Sequence, residues 1–171
     1  KEAENQLRAA HQELEARVEI RTLELAKANK DIRASEEKYR NILENMDEAY
    51  FEIDLKGNMK FWNDSTRHIG GFSQSELMNM NYRQYTSPET AKMMSAIFNN
   101  IYKTGERGSL YDFELIRKDR STRNMELSVN LMRNSEGEAI GFRCIARDIT
   151  ERKRAEDALH QSEEKYRLIA E

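Results

Sequence analysis

The sequence predicts an α+β domain, a five-stranded antiparallel sheet with helices on one face, set between a long N-terminal helix and a C-terminal linker helix. Three observations carry this. Charge gathers at the ends: 19 of the first 44 residues and 11 of the last 22 are Asp, Glu, Lys or Arg, against 29 of the 105 between. The first arm repeats apolar residues at heptad spacing and holds neither Pro nor Gly, so it reads as one continuous helix. The middle holds five short stretches alternating apolar and polar residues, two before a helical region and three after it.

The bulk composition removes several classes. The chain of 171 residues has room for one ordinary domain plus something extra. No run approaches the roughly 18 apolar residues that cross a bilayer, and no signal-peptide pattern opens the chain. A single Cys excludes an internal disulfide and a Cys-rich zinc site, and fits a reducing cytoplasm. A net charge of −3 with mixed signs gives no electrostatic case for nucleic acid.

In the first arm, Leu7, Leu14, Ala28 and Ile42 take d positions and Val18, Leu25, Ile32 and Tyr39 take a positions. His11, Arg21 and Ser35 interrupt this seam. Val at a with Leu at d favours two parallel strands, so a parallel homodimer is expected. An arm of about 60 Å would reach beyond one domain; the plainer alternative is an amphipathic helix lying on its own domain.

Ser35-Glu36-Glu37-Lys38-Tyr39-Arg40 recurs as Ser162-Glu163-Glu164-Lys165-Tyr166-Arg167, 127 residues later. Ala28, Ile32, Ser35, Tyr39 and Ile42 recur as Ala155, Leu159, Ser162, Tyr166 and Ile169. A period of one domain plus its connector implies a modular protein of which this is a piece. The expected organisation is a coiled-coil helix over 1–33, a domain over 34–149, and over 150–171 an outgoing helix and the start of a similar repeat.

Within the domain, residues 49–55 alternate at period two, Lys56-Gly57-Asn58 turns the chain, and 59–62 returns as a hairpin. A short helix from Asn63 stops at Gly70-Gly71, and Ser73 with Glu76 restarts one in capping-box spacing. Ser87-Pro88 opens a longer helix that Gly105 ends. Three strands follow, over 110–118, 123–133 and 139–147. Tyr111, Phe113 and Leu115 are expected on one face, as are Met125, Leu127, Val129 and Leu131, and Ile140, Phe142, Cys144 and Ala146.

Asp54-Leu-Lys-Gly57, Asn63, Ile69-Gly70-Gly71-Phe72-Ser73, Lys103-Thr-Gly105 and Lys118-Asp119 lie in this pattern, and Arg147-Asp148-Ile149-Thr150-Glu151-Arg152-Lys153 ends it. Together they resemble a bacterial PAS sensor domain over about residues 34–153. The resemblance implies strand order 2-1-5-4-3, a central pocket, and a role as input module of a sensor histidine kinase or diguanylate cyclase.

The resemblance also allows cofactors to be weighed position by position. Flavin members carry Asn-Cys-Arg where this chain has Asn81-Tyr82-Arg83, and amide side chains where it has Leu115, Met125 and Ala146. Leaving a flavin's polar edge unpaired against such a wall costs about 1–3 kcal/mol per group, so flavin is disfavoured. Haem is disfavoured because the position of the family's ligating His is Met94, which as a helix Met reads first as packing. His68 has no second ligand at metal spacing, so no metal site is expected. What remains is an apolar cleft of Phe51, Ile53, Trp62, Thr66, Ile69, Phe113, Leu115, Met125, Leu127, Val129, Cys144 and Ala146, with Trp62 N–H and Thr66 O–H as polar handles. It either takes a small apolar ligand or is a self-filled core. Cys144 reads as a small buried hydrophobe before a redox group.

No cyclase signature, phosphoacceptor His context or phosphate loop is visible, so catalysis belongs to downstream domains of the same chain. Asp148, Ile149 and Thr150, where the last strand becomes a helix, are the expected relay, with Asp148 and Thr150 as helix caps. The function expected is a cytoplasmic sensory and dimerisation module. A ligand-free scaffold that only dimerises and sets spacing is the alternative.

Overall fold

Helix-forming residues without Pro or Gly run through the first arm, and in the computed structural model they form one α-helix, α1, Glu2–Glu44. The backbone is described over residues 1–170; the side chains of Tyr111 and of residues 168–170 lie outside that description, and with them the expected inner-face place of Tyr111 and the seam position Ile169. By its contacts the chain divides into Lys1–Ile42 and a second unit from Leu43 onward. None of the α1 residues is buried. Leu7, Leu14, Val18, Leu25, Ile32, Tyr39 and Ile42 are 49–73% exposed, and Ala28 is exposed with them. Ile20 and Leu23, off the heptad seam, are exposed as well. Pairs such as Arg17–Glu13 at 2.9 Å and Arg21–Glu24 at 3.0 Å lace its surface.

The second unit begins with the hairpin β1 (Ala49–Asp54) and β2 (Met59–Trp62). The turn between them is held by Asp54, whose Oδ1 accepts the Lys56 and Asn58 N–H groups, both at 2.9 Å. Two short helices follow, α2 (Asp64–Gly70) and α3 (Gln74–Leu77), capped by Asn63 and by the Ser73–Glu76 capping box. A 3-10 turn at Tyr82–Gln84 leads to α4 (Pro88–Thr104), capped by Ser87 and ended by Gly105 at a φ of 72°. β3 (Gly108–Ile116), β4 (Thr122–Arg133) and β5 (Ala139–Asp148) complete the sheet before α5 (Thr150–Ala170). All pairings are antiparallel, in the order β2-β1-β5-β4-β3. This is the strand order that the resemblance implied.

The core lies between the sheet and α4, which buries Ala91, Met94, Phe98 and Ile101 at helical spacing. Phe98 stacks on Phe142 of β5 at 4.8 Å and meets Tyr82 edge-on at 5.2 Å.

Three bulges alter the expected faces. In β2, Glu52 pairs with Phe61 and Ile53 with Met59, so Lys60 is the extra residue; Met59 turns inward and Phe61 outward against Tyr50. In β5, Met132 pairs with Gly141 and Arg133 with Ala139, which leaves Ile140 unpaired and 46% exposed; its expected place beside Phe142 is corrected. In β3, Leu110 pairs with Leu127 and Phe113 with Met125. The extra residue there brings Leu110 against the core instead of leaving it outside.

Candidate functional site

Between the sheet and the helical layer lies an apolar cavity of about 50 Å³. Nine of the residues expected at a pocket line it: Phe51 and Ile53 from β1, Thr66 and Ile69 from α2, Phe113 and Leu115 from β3, Met125 and Leu127 from β4, and Ala146 from β5. Trp62, Val129 and Cys144 do not. Trp62 lies opposite Phe51 at the sheet edge, half-buried against the margin of the core. Val129 and Cys144 pair with each other farther along the sheet and are wholly buried in side-chain packing. Burial pushes the Cys144 thiol well above its usual range, which keeps it protonated and inert as a nucleophile.

The two expected polar handles are also corrected. Trp62 is outside the lining, and the Thr66 hydroxyl is engaged, lying 3.0 Å from the Tyr50 carbonyl and 2.9 Å from Asn63 Oδ1. Asn63 explains why. Its Oδ1 also accepts the Tyr50 and Thr66 N–H groups, at 3.0 and 3.1 Å, while its Nδ2 donates to the Leu43 and Glu48 carbonyls. One buried amide thus joins the entry to the domain, β1 and α2.

The remaining wall was not foreseen as lining. It comes from Ala49 and Met59, from Gly70, Phe72 and Leu77 around the short helices, and from Tyr82, Tyr85, Met94 and Phe98. The spacing of Met94 and Phe98 on an amphipathic helix was a usable signal; the two Tyr residues follow no period. Tyr82 stands in this wall, and burial pushes the Tyr85 hydroxyl far up, so it stays neutral. A neutral, nearly wholly apolar wall suits a small apolar molecule or a chain filled by its own side chains. Among the described residues, no group of three or more His, Cys, Asp and Glu is placed to hold a metal ion.

The second candidate feature is the start of α5. Ile149 N–H donates to the Asn124 carbonyl at 2.8 Å, and its carbonyl accepts the Lys153 N–H at 2.9 Å, so sheet bonding passes directly into helix bonding. Asp148 stands one residue before the cap position, and its Oδ1 accepts the Thr150 N–H at 2.9 Å in a local side-chain turn that covers the first N–H of α5. Thr150 does something else: its Oγ1 accepts the Asn124 N–H of β4 at 2.9 Å, tying the helix to the sheet instead of capping it. Arg152 pairs with Glu126 of β4 and Lys153 with Asp112 of β3. Lys153 holds the Asp112 carboxyl below its usual range. Beyond them Leu159 and Tyr166 of the repeated seam are 62% and 71% exposed.

A curled antiparallel sheet, a helical flank enclosing a small cavity, and a last strand that runs directly into a helix make the arrangement of a sensor-type domain. A family model for the PAS fold matches residues 37–149, and the chain belongs to that family. It is 30% identical over 131 residues to Sporulation kinase C of Bacillus subtilis, a match spanning 77% of this chain and 30% of that protein. It is 25% identical over 137 residues to the Sensor histidine kinase TmoS of Ectopseudomonas mendocina, spanning 80% of this chain and 14% of that one. Among solved structures, the PAS domain of an HTR-like protein from Haloarcula marismortui superposes with a TM-score of 0.63 at 20% identity, covering 72% of this chain and 98% of that domain. The chain is therefore a PAS domain homologous to those of sensor histidine kinases, and it spans less than a third of the length of those two kinases. Among the described residues, no helix is long and apolar enough to cross a membrane.

Proposed function

We propose that this chain is the sensory and dimerisation module of a bacterial sensor histidine kinase, itself without catalytic machinery, which passes a state of its cavity or its dimer to downstream domains of the same protein through α5. A diguanylate cyclase as the downstream partner stays within the same scheme. The observation that carries it is the unbroken run of hydrogen bonds from β4 through Ile149 and Thr150 into α5. Strain in the sheet is delivered to the first turn of a helix, and paired helices transmit it as rotation or splaying. The exposed heptad seams of α1 and α5 support a parallel homodimer. The apolar side chains of Leu115, Met125 and Ala146 in the cavity wall speak against flavin and for a small apolar ligand. A single cysteine supports a reducing, cytoplasmic setting.

The modest volume of the cavity, about 50 Å³, favours the second reading, a ligand-free scaffold that only pairs chains and sets spacing. Helix phase separates the two. Seven residues inserted after Arg154 turn α5 through nearly two full turns, about 20° short, whereas two residues turn it by about 200°. In the full-length protein the seven-residue insertion should keep regulated output and the two-residue insertion should lock it. Output that declines smoothly with inserted length would leave the scaffold standing.

A further inference from the structure

One wall of the cavity is fastened unlike the others. Thr66, Ile69, Gly70, Phe72 and Leu77 close it from the side of α2 and α3, with no strand among them. This stretch is anchored at both ends. Thr66 is bonded to Asn63 and Tyr50, and the Met80 carbonyl accepts the Met59 N–H at 2.9 Å. Between the anchors the two short helices meet at Gly70-Gly71. Gly71 has a φ of 74°, and a Cβ on Gly70 would come within 2.9 Å of the Phe72 ring. The left-handed backbone of Gly71 favours glycine, Gly70 is crowded only by a ring that can turn, and the joint is a natural hinge.

Asn79 belongs to the far anchor, its N–H donating to the Met59 carbonyl at 3.2 Å and its Oδ1 accepting from Lys60 Nζ at 2.7 Å. Between the anchors, the stretch is held shut by the turn between β3 and β4. Arg117 Nε donates to the Ile69 carbonyl at 2.8 Å and its terminal nitrogen to the His68 carbonyl at 3.4 Å, filling acceptors left open at the end of α2. Lys118 donates its backbone N–H to the Gly70 carbonyl at 3.0 Å and pairs its Nζ with Glu76 of α3 at 2.8 Å. The Lys118–Glu76 pair is exposed at 54% and 38%, so water can replace it at little cost. Arg67 Nε, within the same stretch, is buried with no hydrogen-bond partner among the described residues, and opening would hydrate it. The other walls are paired strands, α4 with Phe98 stacked on Phe142, and the 3-10 turn, where the Tyr82 carbonyl accepts from Thr86 Oγ1 at 2.8 Å and the Tyr85 carbonyl from the Ile116 N–H of β3 at 2.9 Å.

We propose that residues 67–78 form a gate to the cavity, hinged at Gly70-Gly71 and latched by Arg117 and Lys118, through which a small apolar molecule enters. This rests on the reading that the cavity admits such a molecule.

The test uses the 171-residue chain with xenon as probe, since a small apolar cavity takes xenon. Glu76→Gln keeps the capping box and removes only the charge; Lys118→Met removes the other partner. Arg147→Met, which breaks the exposed 3.0 Å pair with Glu48 elsewhere, is the control. Xenon exchange measured by NMR should quicken about two- to fivefold in the first two variants with Kd little changed, and stay unaltered in the control. Unchanged exchange in the latch variants, or equal quickening in the control, overturns the gate. If xenon does not bind the parent chain, the cavity reading alone fails. Amide exchange over residues 67–78 then decides the latch: faster in the two latch variants only supports it, and equal rates in all chains overturn it.

Discussion

Leu127→Ala tests the assignment of the inward face and of the cavity together. Leu127 is 3% exposed, sits opposite Leu110 of β3 and Ala146 of β5, and borders the cavity. The change removes three carbons, about 2.4 kcal/mol of transfer free energy at roughly 0.8 kcal/mol per methylene. β4 is held by a ladder on both sides, so the space cannot collapse, and each 50 Å³ left empty adds about 1.2 kcal/mol. The expected loss is about 3–4.5 kcal/mol, or roughly 10–20 °C in Tm for a unit of this size. Urea unfolding followed by Trp62 fluorescence is the assay, because the single Trp lies half-buried in this unit and α1 has none. Benzene should restore part of the loss by filling the enlarged space. Asn130→Ala, on the exposed face of the same strand, should cost under about 0.5 kcal/mol. A loss below about 1 kcal/mol for Leu127→Ala, or equal losses for both variants, would refute the assignment.

Gly141→Ala should cost at least about 2 kcal/mol or abolish folding, since its Cβ would stand 2.2 Å from the Ile53 carbonyl oxygen and must force β1 and β5 apart; a wild-type melting temperature would show that this close approach is not kept in solution. Glu76, through its hydrogen bond from Lys118 and those from Ser73, is lowered to about 2 from 4.5. Its ionised form is thus favoured by folding, and its contribution is full above pH 4.5 and lost as pH falls toward 2. Melting curves across that window should show a fall in the parent that is shallower in Glu76→Gln, and parallel curves would contradict it. Val18→Asp with Leu25→Asp, placing charge at two seam positions, should turn a dimer into a monomer in sedimentation equilibrium; parent and variant sedimenting alike would remove the α1 seam as the dimer contact.

Much of the fold could be read from residue pattern because it follows local rules. The first period-two stretch, the turn at Lys56-Gly57-Asn58, the Ser73–Glu76 box and the Ser87-Pro88 to Gly105 helix each depend on neighbours within a few positions, and each stands where it was expected, whereas the strand expected over 110–118 runs from Gly108 to Ile116. The cavity was only partly legible. Residues on regular strand faces, such as Phe113, Leu127 and Ala146, were found by alternation. Tyr82, Tyr85 and Phe72 were not, because they reach the interior from turns, where no period says which way a side chain points.

Local chemistry in the chain alone therefore determined the element types, the heptad seam of α1 and the apolar character of the interior. Tertiary structure decided what depends on two strands at once. A bulge is a mismatch of count between neighbours, invisible in either strand alone, and it turned Met59 and Leu110 inward and Ile140 out. Hydrogen-bond partners were likewise decided in space. Thr150 could cap its helix or bind β4, and it binds β4 because Asn124, 26 residues earlier, presents its N–H at 2.9 Å. Thr66 could have faced a ligand, but Asn63 and the Tyr50 carbonyl lie nearer, and a buried hydroxyl takes the acceptors that folding brings to it.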